Sequence, residues 1–298
     1  MKTWLAAVLA FAVAACVRAD APQPQRVLLA ATHTLEDSGL LEVIIAAFDS
    51  AHPQYSLQAT VTATGQALEL GRQGDVDALL VHSPEDERSF MEEGFGISRR
   101  EVMESDFVLA GPVADPAGVN HSPDIGEAFR RLATGLAPFV SRGDESGTHR
   151  KELDIWADIA VVPQGEWYIQ SGVGMGDALR VASQRAAYIL SDRPTFQALR
   201  SSLQLDILSE GDSRLLNPYS VIQVRNAANA EGARAFSEWI TGPEAQALIA
   251  NYGAESVGRT LFTPTAVPAA ASGSRGRAMT QDPVSAIALG HRQRHRSR

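Results

Sequence analysis

With one cysteine, Cys16, the chain cannot close an internal disulfide, so its folded body is not held by paired sulfur. Its seven histidines are scattered, and within 22–265 no pair stands at a metal-ligand spacing. The glycine run Gly172-Val173-Gly174-Met175-Gly176 lacks the dinucleotide spacing and lies deep in the chain rather than after the first strand. Ser146 has its glycine, Gly143, three residues upstream, so the nucleophile-elbow spacing fails. No internal repeat is present. These absences argue against a metalloenzyme, a dinucleotide enzyme and an exported hydrolase, and no cofactor is implied.

Positive charge is scarce where the fold should lie. Residues 22–265 carry 18 Lys and Arg against 33 Asp and Glu, a net of −15, whereas 266–298 hold six Arg and one Asp, a net of +5. An acidic body speaks against nucleic acid, whose binding depends on neutralising phosphates. It also removes long-range attraction for any small anion, so affinity for one must come from short-range donors inside a cleft. The tail 266–298 is rich in Ala, Ser, Arg and His without a sustained period and reads as disordered.

Hydrophobic residues make up 45% of the 298, enough for one large or two modest cores. Lys2 precedes an apolar run ending at Ala15, too short to span a bilayer and shaped like a secretory signal. The segment Val13-Ala14-Ala15-Cys16 resembles a lipobox, with Cys16 as the residue to be acylated. Residues 1–21 are accordingly read as signal, lipobox and leader, and the body as extracytoplasmic, touching membrane only through that lipid.

Strand and helix patterns alternate. Arg26–Ala31 reads as a strand, followed by the polar turn 32–39 and an amphipathic helix through Leu40, Leu41, Ile44, Ile45 and Phe48. Tyr55–Thr62 reads as a second strand, followed by Ala63-Thr64-Gly65-Gln66 and another helix, then the strand Ala78–Val81. This order implies βαβ units and a mostly parallel sheet, with ligand at the carboxyl ends of the strands. Asp106–Pro112 leads into a second α/β set, and Asn217–Val224 returns the chain. Helices at Glu231–Ile240 and Pro243–Asn251 end the fold.

The segment Ser141-Arg142-Gly143-Asp144-Glu145-Ser146-Gly147-Thr148-His149 is the most informative. Two glycines let the backbone turn its N–H groups inward, a helix start follows, and Arg142 adds a fixed fork of charged donors. That combination reads as an oxyanion cradle. An anion site gains nothing from Asp144 or Glu145 facing its ligand, so one of them is expected to cap a helix or pair with an Arg.

Together with Glu36–Leu41, Thr64–Gly71, Gly74–His82, Trp167-Tyr168, Gly174–Gly176, Ser191–Arg193 and Asn217–Tyr219, this segment resembles the tungstate-binding proteins of ABC transporters. The resemblance covers about 26 to 265. It implies an α/β, two-lobed periplasmic binding protein, type II-like, with two hinge crossovers: lobe 1 at 22–109 plus 218–265 and lobe 2 at 110–217. It implies a non-catalytic receptor that gives tungstate or a similar tetrahedral oxyanion to a permease. Molybdate or phosphate binding, or an oxyanion sensor, are alternatives. The ligand residues it implies are Thr32, Thr34, Thr64, Arg142, Thr148 and Arg193, with His33 and Ser38 beside the ligand. Where the family's first turn reads Thr-Thr-Thr-Ser, this chain has Ala31-Thr32-His33-Thr34, losing one hydroxyl at Ala31 and replacing another with the imidazole of His33.

Overall fold

Along the first strand, β1 (Gln25–Thr32), Val27, Leu29 and Ala31 face one apolar core while Ala30 faces another, the period-2 alternation of a strand covered on both sides. The computed structural model describes residues 23–254 and 260–266; the leader with Cys16 and nearly all of the Arg-rich tail lie outside them. After β1 come α1 (His33–Asp37), α2 (Leu40–Ala51), β2 (Tyr55–Thr62), α3 (Thr64–Gln73), β3 (Ala78–Val81), α4 (Pro84–Glu92) and the 17-residue β4 (Gly96–Pro112). The second half holds α5 (Ile125–Gly135), β5 (Phe139–Ser141), α6 (Gly147–Asp158), β6 (Tyr168–Gln170), α7 (Met175–Arg185), β7 (Tyr188–Asp192), α8 (Arg193–Leu199) and β8 (Leu205–Ser209). The chain closes with β9 (Leu216–Val224), α9 (Ala230–Ile240), α10 (Pro243–Asn251) and the short β10 (Thr263–Pro264).

The sheet runs β2-β1-β3-β9-β4-β7-β5-β6. β1 is parallel to β2 and β3, and β5 is parallel to β6 and β7. The centre departs from the expected parallel sheet: β9 runs antiparallel to β3 and β4, and β4 antiparallel to β7 and β8. The reason is connectivity, since β4 and β9 carry the chain out of the first half and back. β4 changes partner between Asp106, opposite Leu216 of β9, and Phe107, opposite Asp192 of β7.

Each half is a sheet covered by helices on both faces, with its own pair of cores. Phe48, Phe236 and Trp239 centre one core of the first half, and Phe90 another. In the second half Trp156 packs on Phe129 and Phe139, at 4.5 and 5.6 Å between ring centroids, while Phe196 and Met175 lie on the opposite face. Two halves on two connections make the two-lobed α/β architecture that the resemblance implies.

Several local readings change. The turn 32–39 contains the helical turn α1, because Thr32 leaves the strand in extended conformation and the left-handed Gly39 (φ 80°) then restarts the chain as α2. Ser191–Pro194, which from its residues alone reads as a turn, is the end of β7 plus the start of α8: Asp192 caps that helix through Thr195 N (2.8 Å), and Pro194 fits its first turn.

Candidate functional site

Four strands that precede helices end in hydroxyl or carboxyl side chains: Thr32 on β1, Thr62 on β2, Ser141 on β5, and Ser191 and Asp192 on β7. A helix then begins at once after β1, β2 and β7, and after a short loop beyond β5. Polar residues therefore collect along the carboxyl edge, and all of those named are buried.

α3 opens after Ala63, which offers no side-chain cap to the first turn. Thr64 is fully buried, and its hydroxyl has no protein partner. In the loop before α6, Gly143 (φ 60°) and Glu145 (φ 59°) both adopt the left-handed region, and Glu145, whose N–H donates to His149 Nδ1 (3.1 Å), is unusual there as a residue with a side chain. Ser146 caps α6 through His149 N (3.3 Å), and Thr148 Oγ1 lies buried without a partner. Arg142 is 2% exposed. Its Nη2 donates to Asp144, whose other oxygen accepts from Ser146 N (3.2 Å), while its Nε is left unpartnered. Asp144 is thus the carboxylate that orients the arginine.

Contacts between the halves bring these groups together. A Cβ on Gly147, at the start of α6, would lie 2.6 Å from the His82 carbonyl and 2.8 Å from its ring, so only glycine permits this approach. Gly65, beside Thr64, faces the backbone of Glu145. Asp37 of α1 accepts from Gly176 N (3.0 Å) in the first turn of α7, and Arg150 of α6 lies 3.6 Å from Asp86 of α4. Burial raises the Asp37 carboxyl above its ordinary range, although that N–H opposes the rise. Asp192 is buried too, and desolvation pushes it up to about 7.

Thr32 and Thr34 are joined at 3.0 Å between hydroxyls. Thr34 lies behind Thr32, against Tyr219 (3.2 Å) and His82 Nε2 (3.4 Å), so it is occupied by neighbours rather than free for a ligand. His33 opens α1 with its Nδ1 buried and unpartnered, its ring beside Gly174. Ser38 donates its hydroxyl to Leu35 O (3.0 Å) within its own helical turn. Arg193 is held on one side: its Nε and Nη2 bind Asp106 on β4 and Nη2 also Glu210 in the returning crossover, while its Nη1 is buried without a partner. Thr64, Arg142 and Thr148 keep buried polar atoms without protein partners, as does Arg193 Nη1, and Gly65 beside Thr64 meets the 141–149 loop at Glu145.

Sequence reasoning placed His82, Asn217, Tyr219 and Asp192 within the motifs of the resemblance but gave them no role beside the ligand. Tyr219 and Asn217 were marked only as motif residues on a returning strand, and their approach to His82 depends on the β3–β9 pairing, which no local pattern announces. Among the described residues no group of three His, Cys, Asp or Glu side chains could hold a metal ion. No described helix is long and apolar enough to cross a membrane.

Comparison with known proteins agrees with this geometry. The model of the PBP superfamily domain matches residues 19–244. A tungstate-binding protein, TupA, of Peptoclostridium acidaminophilum is 40% identical, over 87% of this chain and 95% of its own. Among solved structures, the tungstate ABC transporter protein of Geobacter sulfurreducens is 40% identical with a TM-score of 0.70, over 76% of this chain and 98% of its own. The tungstate-binding protein TupA of Desulfovibrio alaskensis G20 is 37% identical with a TM-score of 0.69, over 82% and 100%. Such relatives are transporter substrate-binding components rather than enzymes. The chain belongs to the PBP superfamily and, within it, to the family of the tungstate-binding proteins of ABC transporters.

Proposed function

We propose that this protein is an extracytoplasmic receptor that captures tungstate, or a closely similar tetrahedral oxyanion, between its two lobes and passes it to the permease of an ABC importer. The observation that carries the reading is the set of buried donors without protein partners: Thr64 Oγ1, Arg142 Nε and Thr148 Oγ1, drawn from both halves. Buried polar atoms are nearly always paired, so orphans on Thr64 and on the 141–149 loop, two segments that meet where Gly65 approaches Glu145, mark a place for a polar ligand. Thr32 adds a fourth contact, and the first turns of α3 and α6 add backbone N–H groups.

Magnitudes support the reading. Nanomolar binding needs about −12 kcal/mol. Charge-assisted hydrogen bonds contribute about 1.5–3 kcal/mol each, and a helix N-terminus about 0.3–1 kcal/mol. Four or five such contacts reach the required range after ordering costs. They are complete only when the lobes are closed, so ligand favours closure, and the closed form is what the permease distinguishes. The lobes exchange at Asp106/Phe107 and in the connection between β8 and β9. Acylation of Cys16 would hold the receptor at the outer membrane face. Titration calorimetry with tungstate, molybdate, sulfate and phosphate tests the proposal: tungstate should bind most tightly, and a protein that binds none of the four rejects it.

A further inference from the structure

Behind Thr32 lies a buried chain of side-chain hydrogen bonds. Asn217 accepts from His82 Nδ1 at 2.9 Å through its Oδ1 and donates through Nδ2 to Ser105 Oγ (3.1 Å) and Tyr219 Oη (3.2 Å). Both N–H groups of the amide are then used, and the phenol oxygen of Tyr219 is an acceptor. The Tyr219 proton has Thr34 Oγ1 within 3.2 Å. Thr34 thus receives a hydrogen bond and keeps one proton to give. Two acceptors compete for it: Thr32 Oγ1 at 3.0 Å and His82 Nε2 at 3.4 Å.

That competition decides what Thr32 offers. If Thr34 donates to His82, Thr32 donates back to Thr34 and turns only lone pairs to the site, which an anion rejects. If Thr34 donates to Thr32, the Thr32 proton has no acceptor among the described side chains and is free for the anion. We propose that Asn217, Tyr219 and Thr34 form a one-way hydroxyl relay, with His82 Nε2 as the acceptor in the empty site, that turns the Thr32 proton onto a bound oxyanion. These are positioning residues acting through Thr32, and the inference rests on the site proposed above.

The surroundings suit the role. His82 stacks on Tyr219 at 4.7 Å between centroids, and Phe262 packs edge-on to the same ring at 5.9 Å, so the phenol is held in place. Burial draws the His82 pKa down to about 4, which keeps the imidazole neutral and its Nε2 an acceptor. His82 also supports Gly147 at the start of α6, so one residue touches both the relay and the opposite lobe.

A double-mutant cycle on the full chain, read by calorimetry with sodium tungstate, tests the relay. Tyr219→Phe keeps the stacked ring and removes the hydroxyl; Thr32→Val removes the hydroxyl that the relay serves. Each single change should weaken binding about ten-fold, and the double variant should bind no more weakly than Thr32→Val alone. Thr34→Val takes the place of Tyr219→Phe in the same cycle if the latter melts more than a few degrees below wild type. The relay is overturned if Tyr219→Phe binds within two-fold of wild type, or if the two losses multiply, as independent packing defects would. In either case wild-type binding still stands, so the site survives its loss; a wild-type protein that ignores all four anions removes both.

Discussion

Replacing Arg142 by Ala should abolish most of the anion affinity while leaving the fold in place. Arg142 is buried, with one nitrogen on Asp144 and Nε without a partner. Truncation loses at least one charge-assisted bond to the ligand, about 1.5–3 kcal/mol. It also leaves the Asp144 carboxylate near the anion without its counter-charge, which brings the expected cost to roughly 3–4 kcal/mol, or two to three orders of magnitude in Kd. Asp144 keeps its bond from Ser146 N, so the loop has a reason to hold its shape. Adding Asp144→Asn to Arg142→Ala should therefore restore about ten-fold, since the orphaned charge is gone. Calorimetry with tungstate measures all three proteins, and circular dichroism melts confirm that they are folded. An Arg142→Ala protein binding within three-fold of wild type refutes the site. A double variant no better than Arg142→Ala refutes the part assigned to Asp144.

Other consequences separate ligand contacts from supports. Arg193→Met should lower Tm by several degrees yet change affinity less than three-fold, because its guanidinium holds Asp106 and Glu210; a hundred-fold loss of affinity would return it to the ligand. Gly147→Ala places a Cβ 2.6 Å from the His82 carbonyl, so about 1–3 kcal/mol of overpacking and a weakened site are expected together; an unchanged Tm contradicts the close approach. Glu152 accepts from Trp156 and Tyr168 beneath the cradle, and burial lifts it to about 7, as it does Asp192. Both prefer the proton more in the folded than in the unfolded chain. Their stabilisation is full below the unfolded carboxyl range near pH 4 and lost as pH rises through 7. Tm should fall between pH 5 and pH 8, and fall less in Glu152→Gln; parallel curves for the two proteins would count against it.

Periodic and punctuated segments were legible from residues alone. The β1–α2 and β2–α3 units, α9 and α10 follow from apolar spacing and a Gly, Thr or Pro at each boundary. The cradle at 141–149 was legible because glycines, a cation and hydroxyls fall within one short run. What escaped was of two kinds. α8 and β8 were hidden because Arg193-Pro194 reads as a turn when seen locally and as a helix start only once Asp192 is known to cap it. Tyr219, Asn217 and His82 were hidden because their roles exist only across strand pairs and through hydrogen bonds that no spacing encodes. Arg193 shows what motif position leaves out: the two crossovers supply it with carboxylates that are distant in sequence and adjacent in space.

The acidity of the body sharpens the case for such a site. A receptor with a net of −15 over 22–265 repels a dianion at long range, yet that repulsion is screened within about 8–10 Å at physiological salt. Inside the cleft the balance reverses, because unpaired donors at contact distance in a dry region outweigh distant charges in water. Selectivity then depends on how well the donors are aimed rather than on how many cations are nearby. That is why a hydroxyl relay behind Thr32 and a carboxylate orienting Arg142 matter more here than added positive charge. It also makes a specific expectation of salt: raising it from 50 to 300 mM should speed association by relieving repulsion while leaving dissociation nearly unchanged. Stopped-flow tryptophan fluorescence separates the two rates, and a dissociation rate that climbs steeply with salt would mean that exposed charges, not buried donors, hold the anion.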